Sequence, residues 1–283
     1  MKRVLMLFVF AFSLASEAQV LSPQPSPGAS VTTMVGLTEV KVDYSRPKAK
    51  GRKIFGASPE FVTPYGTMWR TGANNGTRIT FSDDVKFGGT DVPKGTYLVL
   101  TIVGATEWTV ILTKDLTLAG NDPQGYDQKN DQARATVKPE KLTEKVETFT
   151  IEISDLAENS KTANLQMMWE NTSVKVPIAV DFDKKVMASI EASTKVNPNS
   201  LYNAANYYLE NGKDLKVALD WVTTAAAARP EAYWMMHAKA KIQKALGDKK
   251  GAMESATASK VVAEKEKDAA YVKMNDELMK GLK

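Results

Sequence analysis

Arg46, Arg52 and Arg70, together with Trp69, Asn74 and Asn75, crowd into one stretch over residues 42–81, VDYSRPKAKGRKIFGASPEFVTPYGTMWRTGANNGTRITF. A guanidinium is a planar fork that pairs with carboxylate, phosphate or sulfate, and an asparagine amide offers donors and acceptors alike. Trp69, Tyr65 and Tyr44 add flat aromatic faces. As a set these residues read as a cleft for a small anionic or carbohydrate-like ligand, with Arg70 and Asn74 at its centre. The same residue types fit a second role. An arginine that hydrogen-bonds carbonyls and acids ties down a crossover loop without any ligand, and Trp69 would then plug the end of a β-sandwich.

The rest of the chain narrows the chemistry. There is no cysteine, which removes disulfides, thiolate metal sites, a cysteine nucleophile and a lipid-modified N-terminal cysteine. His237 is the sole histidine and lies in a helical pattern far from the arginines, which excludes a Ser-His-Asp triad or a multi-histidine metal site beside them. It reads as a packing or surface residue. Asp43, Asp83, Asp84, Glu107, Asp127 and Asp131 lie on or beside strand patterns. A hydrolase would need two carboxyl groups roughly 5–9 Å apart across a scissile bond, and nothing in the sequence selects a pair. Asp122, Asp127 and Asp131 offer oxygen ligands of the kind calcium takes, but without the spacing of a calcium loop. Residues 119–132 read instead as a solvated loop, with Arg134 pairing Asp131 at a strand start. No metal or cofactor is expected. The formal charge is +4 and the lysines are scattered, so no basic stripe for nucleic acid is present.

Strands must hold this stretch in place. Val40, Val42 and Tyr44 alternate with Lys41 and Asp43, the period of two that marks a strand with one buried face. The same pattern predicts strands over 77–81, 96–103, 108–113, 133–138, 146–153, 163–169 and 173–178. Pro93-Lys94-Gly95 and Gly104-Ala105-Thr106-Glu107 reverse the chain between them. Short strands separated by turns, with no helical period before about residue 184, predict an antiparallel β-sandwich.

From residue 183 alanines become frequent and apolar residues recur at three and four, which predicts helices. Asn199-Ser200 marks a start, Gly212 a stop and Arg229-Pro230 a further boundary. Ala205 to Ala240 and Gly212 to Gly247 are each 35 residues apart, and Ala218 to Ala252 is 34. Helix, glycine turn and helix at that period resembles the tetratricopeptide repeat. Gln243 departs from it, standing where a bulky apolar side chain is usual. Such helices need a partner surface, because an array of about two repeats is short.

Lys2 and Arg3, an apolar core over residues 4–14 and Ser16-Glu17-Ala18 fit an export signal cleaved after Ala18. That core is too short for a span of about 20 residues. The predicted organisation is α+β and multidomain: signal peptide 1–18, proline-rich tether 19–30, β-sandwich 31–182 and tetratricopeptide-like helices 183–283.

Tyr44-Ser45-Arg46-Pro47, Gly51-Arg52-Lys53-Ile54-Phe55-Gly56, Pro64-Tyr65-Gly66, Trp69-Arg70-Thr71-Gly72-Ala73-Asn74 and Gly95-Thr96-Tyr97 occur in that order. Trp108, Gly125-Tyr126, Asp131, Arg134, Trp169-Glu170 and Val176-Pro177 follow. Over roughly residues 30–180 the chain resembles a family of exported bacterial proteins, the domain of unknown function numbered twenty-nine eleven. The resemblance implies a β-rich exported domain, in some members followed by helical repeats, and implies no activity. The expected protein is a periplasmic or secreted, non-enzymatic recognition protein. Its sandwich binds a small ligand, its helices contact a protein partner, and it has no membrane span once the signal is removed. A carboxylate-dependent hydrolase of the cell envelope, and a purely structural sandwich with all binding on the helices, are the rival expectations.

Overall fold

The computed structural model describes residues 22–118, 125–193 and 197–282. The expected signal peptide, the start of the tether and Asp122 lie outside them. The chain divides into two compact units between Asp181 and Phe182.

The first unit is built of strands, antiparallel but for one short pair: β1 (Gly28–Val35), β2 (Thr38–Ser45), β3 (Phe55–Gly56), β4 (Thr63–Pro64), β5 (Met68–Trp69), β6 (Thr77–Phe81), β7 (Val85–Phe87), β8 (Thr90–Val92), β9 (Gly95–Ile102), β10 (Trp108–Thr113), β11 (Asp131–Val137), β12 (Glu140–Ser154) and β13 (Thr162–Val180). One sheet runs β1-β2-β6-β9-β10-β11, with β5 continuing the edge of β9 that β6 leaves free. A second runs β12-β13-β7-β8, and β3 and β4 make the parallel two-residue pair. Val40, Val42, Tyr44, Ile79 and Phe81 are buried as their alternation requires.

Three features differ from the pattern in the sequence. β1 begins at Gly28 and takes in Gly28–Ser30 of the expected tether, because the prolines end at Pro27 and the whole strand pairs with β2. Residues 163–178 form one strand rather than two. Glu170 takes φ 54° and the register with β12 slips there, so the chain bulges where a turn would have separated strands. β9 is buried on both faces, which hides its alternation. Its outward Leu98 and Leu100 join Ile111 and Leu118 in a small outer cluster, flanked by Tyr126 from the polar loop.

The sandwich interior is closed at one end by rings. Trp69 stacks on Trp169 from the opposite sheet at 5.9 Å and meets Phe149 edge-on at 5.1 Å, while Phe55 lies 4.8 Å from Trp108. Contacts of this kind are worth about 0.5–1.5 kcal/mol each beyond their buried area.

The second unit holds α1 (Asp183–Ser193), α2 (Pro198–Glu210), α3 (Leu215–Ala228), α4 (Tyr233–Ala245), α5 (Lys249–Lys265) and α6 (Ala269–Lys280). Asn197, Asp214, Asp248 and Asp268 cap α2, α3, α5 and α6 through side-chain oxygens. Gly212 at φ 62° and Gly247 at φ 82° turn the chain between helices in a conformation that glycine adopts freely. Consecutive helices pack on one another, and α2 also meets α4 as α4 meets α6. Ala205, Ala218, Val222 and Ile242 form one buried seam, and Ala240, Ala252 and Ala256 another. Gln243 is buried and satisfied: its amide nitrogen donates to Asp248 and its carbonyl accepts from Ser255 Oγ at 2.6 Å. No helix among the described residues is long and apolar enough to cross a membrane.

Candidate functional site

The first signature motif, Tyr44-Ser45-Arg46-Pro47, and the residues up to Ala49 lie along the free edge of β12. Lys48 bridges Thr148, Ala49 N donates to Glu147 O at 2.8 Å, and Phe149 N donates to Pro47 O at 2.9 Å. Tyr44 Oη accepts from Ile151 N at 3.1 Å, and Arg46 donates to Phe149 O at 3.3 Å and to Thr150 Oγ1 at 3.1 Å. Edge backbone groups that would otherwise stand open are thereby paired. Arg46 is half-buried among these partners. Arg52, in contrast, is exposed and closes its own turn by donating to Lys48 O at 2.7 Å and Ala49 O at 3.1 Å.

Trp69, expected at a ligand face, is instead a core residue. Its side is walled by rings, it is 3% exposed, and its Nε1 donates to Gly72 O at 3.2 Å. A strongly bent loop follows it. Thr71, Gly72, Asn74 and Gly76 all have positive φ, at 56°, 120°, 54° and 75°. A Cβ at Gly72 would sit 3.0 Å from Ser45 O, so only glycine fits there. Thr71 is buried and shares a 2.6 Å hydrogen bond with Thr101, and Thr77 Oγ1 donates to Thr71 O. Arg70 donates to Asn74 O at 3.1 Å, and Asn74 Nδ2 reaches Ser26 O and Ser45 Oγ, each at 3.1 Å. Asn75 is exposed. The structure thus brings Arg70 and Asn74 together, while the hydrogen bonds of Arg46, Arg52 and Arg70 go to three separate places. Arg70 Nε is enclosed and has no acceptor among the described residues.

Asp43, Asp84, Asp127 and Asp131 are engaged locally. Asp43 pairs with Lys41 at 2.9 Å, a contact that holds its carboxyl below the ordinary range. Asp84 accepts from Lys94 N, and Asp127 caps a short turn by accepting from Lys129 N. Asp131 Oδ2 accepts from Tyr126 Oη at 2.6 Å and from Arg134 at 2.7 Å, while its Oδ1 is buried without a partner among the described residues. Burial, and then the Asp131 carboxylate, push the Tyr126 phenol upward. Among the described residues no cluster of His, Asp or Glu could hold a metal ion.

An open concavity lies in the helical unit instead, and the sequence reading did not locate it. A groove of about 690 Å³ is lined by α2, α4 and α6, among others by Leu209, Glu210, His237, Lys241, Lys244 and Met274. His237, 7% exposed, belongs to a buried network. Its Nδ1 lies 2.8 Å from Asn275 Oδ1, and Asn275 Nδ2 donates to Tyr271 O at 2.8 Å and to Ser259 Oγ at 2.9 Å. The Tyr271 carbonyl can only accept, which orients the amide and requires Nδ1 to carry the ring hydrogen. Nε2 therefore keeps the lone pair. Burial, with some help from Lys241, holds the His237 pKa below its ordinary value against the bond to Asn275. One signal was available: Ala205, Ala240 and Asn275 recur 35 residues apart, and a polar side chain in a small-residue position marks the network.

Residues 26–178, more than half of the chain, match the family described as protein of unknown function (DUF2911), and the chain belongs to that family. The match ends before the helices. No curated protein and no solved structure matches the chain.

Proposed function

We propose that this is an exported, non-enzymatic interaction protein in which the sandwich is a closed carrier and the helices, as tetratricopeptide-like repeats, hold an extended segment of a protein partner. The observation that carries the reading is the groove along α2, α4 and α6, whose lining mixes apolar and charged side chains. The recurrence of glycine turns at 212 and 247 and of alanine seams supports the repeat. The charged start, short apolar core and Ala18 support export, with the mature chain beginning at Gln19.

A photo-crosslinking residue at Met274 in the exported protein tests the reading. The expected result is one or a few discrete adducts that disappear when Ala245→Trp fills the groove. Adducts that persist in Ala245→Trp, or none from any groove position, would count against it.

A second reading places a small anionic ligand at the sandwich, and one observation favours it: the enclosed Nε of Arg70 lacks an acceptor among the described residues. Thermal shift against organic acids and acidic sugars, lost in Arg70→Ala, is its expected sign. No observation favours the hydrolase, since Asp43, Asp84, Asp127 and Asp131 each hold a local partner.

A further inference from the structure

His237, Lys241 and Lys244 stand at i, i+4 and i+7 on α4, one stripe of a helix face, and all three line the groove. Neither Lys241 nor Lys244 has an ion-pair partner among the described residues, so both ammonium groups are open to a ligand in the groove. Two acids line the same groove, Glu210 on α2 and Glu277 on α6, the latter also 3.9 Å from the exposed Lys273. The α4 stripe itself is cationic, with the two acids on the flanking helices α2 and α6, and Leu209 and Leu278 add apolar surface to the lining.

We propose that the groove binds an acidic, partly apolar peptide segment, with a peptide carboxylate received between His237 Nε2 and the two lysines, and that this binding is coupled to protonation of His237. The proposal rests on the groove reading above and adds the ligand's chemistry and its regulation. The coupling follows from the network. Nδ1 is committed as a donor to Asn275, so any proton gained or lost resides on Nε2. A carboxylate only accepts, and it meets a lone pair while the ring is neutral and a donor once the ring is charged. Tyr271 from α6 meets the ring edge-on and Lys241 from α4 acts on its charge, Glu210 from α2, Lys244 from α4 and Glu277 from α6 line the same groove, and α5 presents the neutral Ser259 to Asn275. Lys241 opposes the charged ring and a bound carboxylate offsets that. Affinity therefore rises as pH falls.

The mature full-length chain is panned against a phage-displayed random peptide library at about pH 5.5, with Ala245→Trp as the counter-selection. Enrichment of peptides that pair Asp or Glu with Leu-like residues is expected. The winning peptide is then titrated against the chain by NMR. His237 is the only histidine, so its ring protons report without overlap. The peptide should raise the His237 pKa, each unit meaning about tenfold tighter binding at low pH. Lys241→Ala with Lys244→Ala, which leaves the His237–Asn275 pair intact, should weaken binding by about tenfold or more, or roughly 1.4 kcal/mol. Winners that are neutral or basic, or a His237 pKa that is unmoved or lowered, would overturn the proposal while leaving the groove as a peptide site. No winner sensitive to Ala245→Trp would overturn both.

Discussion

Arg46 and Arg52 carry the same guanidinium, yet their partners set different consequences for losing it. Arg46 is half-buried and bonds a carbonyl and a hydroxyl of β12 more than 100 residues away, so Arg46→Ala strips an edge strand of its lateral partner. A cost of about 1.5–3 kcal/mol is expected in urea unfolding. Arg52 is exposed and bonds carbonyls three and four residues back, so Arg52→Ala should change stability by less than about 0.5 kcal/mol. Trp69→Ala opens a cavity among Phe55, Phe149 and Trp169 and should cost about 3–5 kcal/mol. If Arg46→Ala proved neutral and Trp69→Ala mild, the signature would have to owe its character to a ligand rather than to these bonds. His237 gives a pH-dependent counterpart. Its folded pKa lies below the unfolded value of about 6.5, so the folded state prefers the neutral ring. Stability is full above that value and falls as pH drops from it toward the folded pKa, because the unfolded chain takes the proton first. The helical unit should melt lower at pH 5 than at pH 7.5, and His237→Gln should flatten that difference.

At the scale of elements, legibility followed burial on one face. β2 and β6 alternate because each has a core side and a second side, and the alternation in the sequence marks where they lie. β9 is covered on both sides, so Tyr97-Leu98-Val99-Leu100 reads only as apolar, and the outer cluster it forms with Leu118 left no periodic trace. The arginines were legible as unusual, but their partners are backbone carbonyls with one threonine hydroxyl, and a carbonyl looks the same at every position in a sequence. The groove was hidden for the opposite reason: Lys241 and Lys244 have the appearance of an ordinary solvated face until α2 and α6 stand beside them. The alanine spacing was informative because close helix approach demands small side chains at fixed intervals. Ala218 and Ala252 are both fully buried, so Ala218→Leu or Ala252→Leu should overpack its seam at about 1–3 kcal/mol, read as a lowered midpoint in thermal unfolding. An unchanged midpoint in both would remove these positions from the helix contacts.

At the scale of the molecule, the two units have separate cores: aromatic rings and β-branched residues in one, alanine seams and a His-Asn-Ser network in the other. Arg46 bonds only within the first and Ala252 packs only within the second, so the two sites share no partner. Changes at sites without shared partners add to within about 0.3–0.5 kcal/mol. Scanning calorimetry of the full chain should therefore resolve two transitions. Arg46→Ala is expected to lower one and leave the other in place, and Ala252→Leu to do the reverse. The double variant should show both shifts unchanged in size. The acid sensitivity of His237 adds an internal marker, because only the transition that Ala252→Leu moves should fall between pH 7.5 and pH 5. A single transition displaced by either substitution would mean that the units unfold as one. The sandwich would then be more than a carrier, since a ligand held by the helices would stabilise it as well.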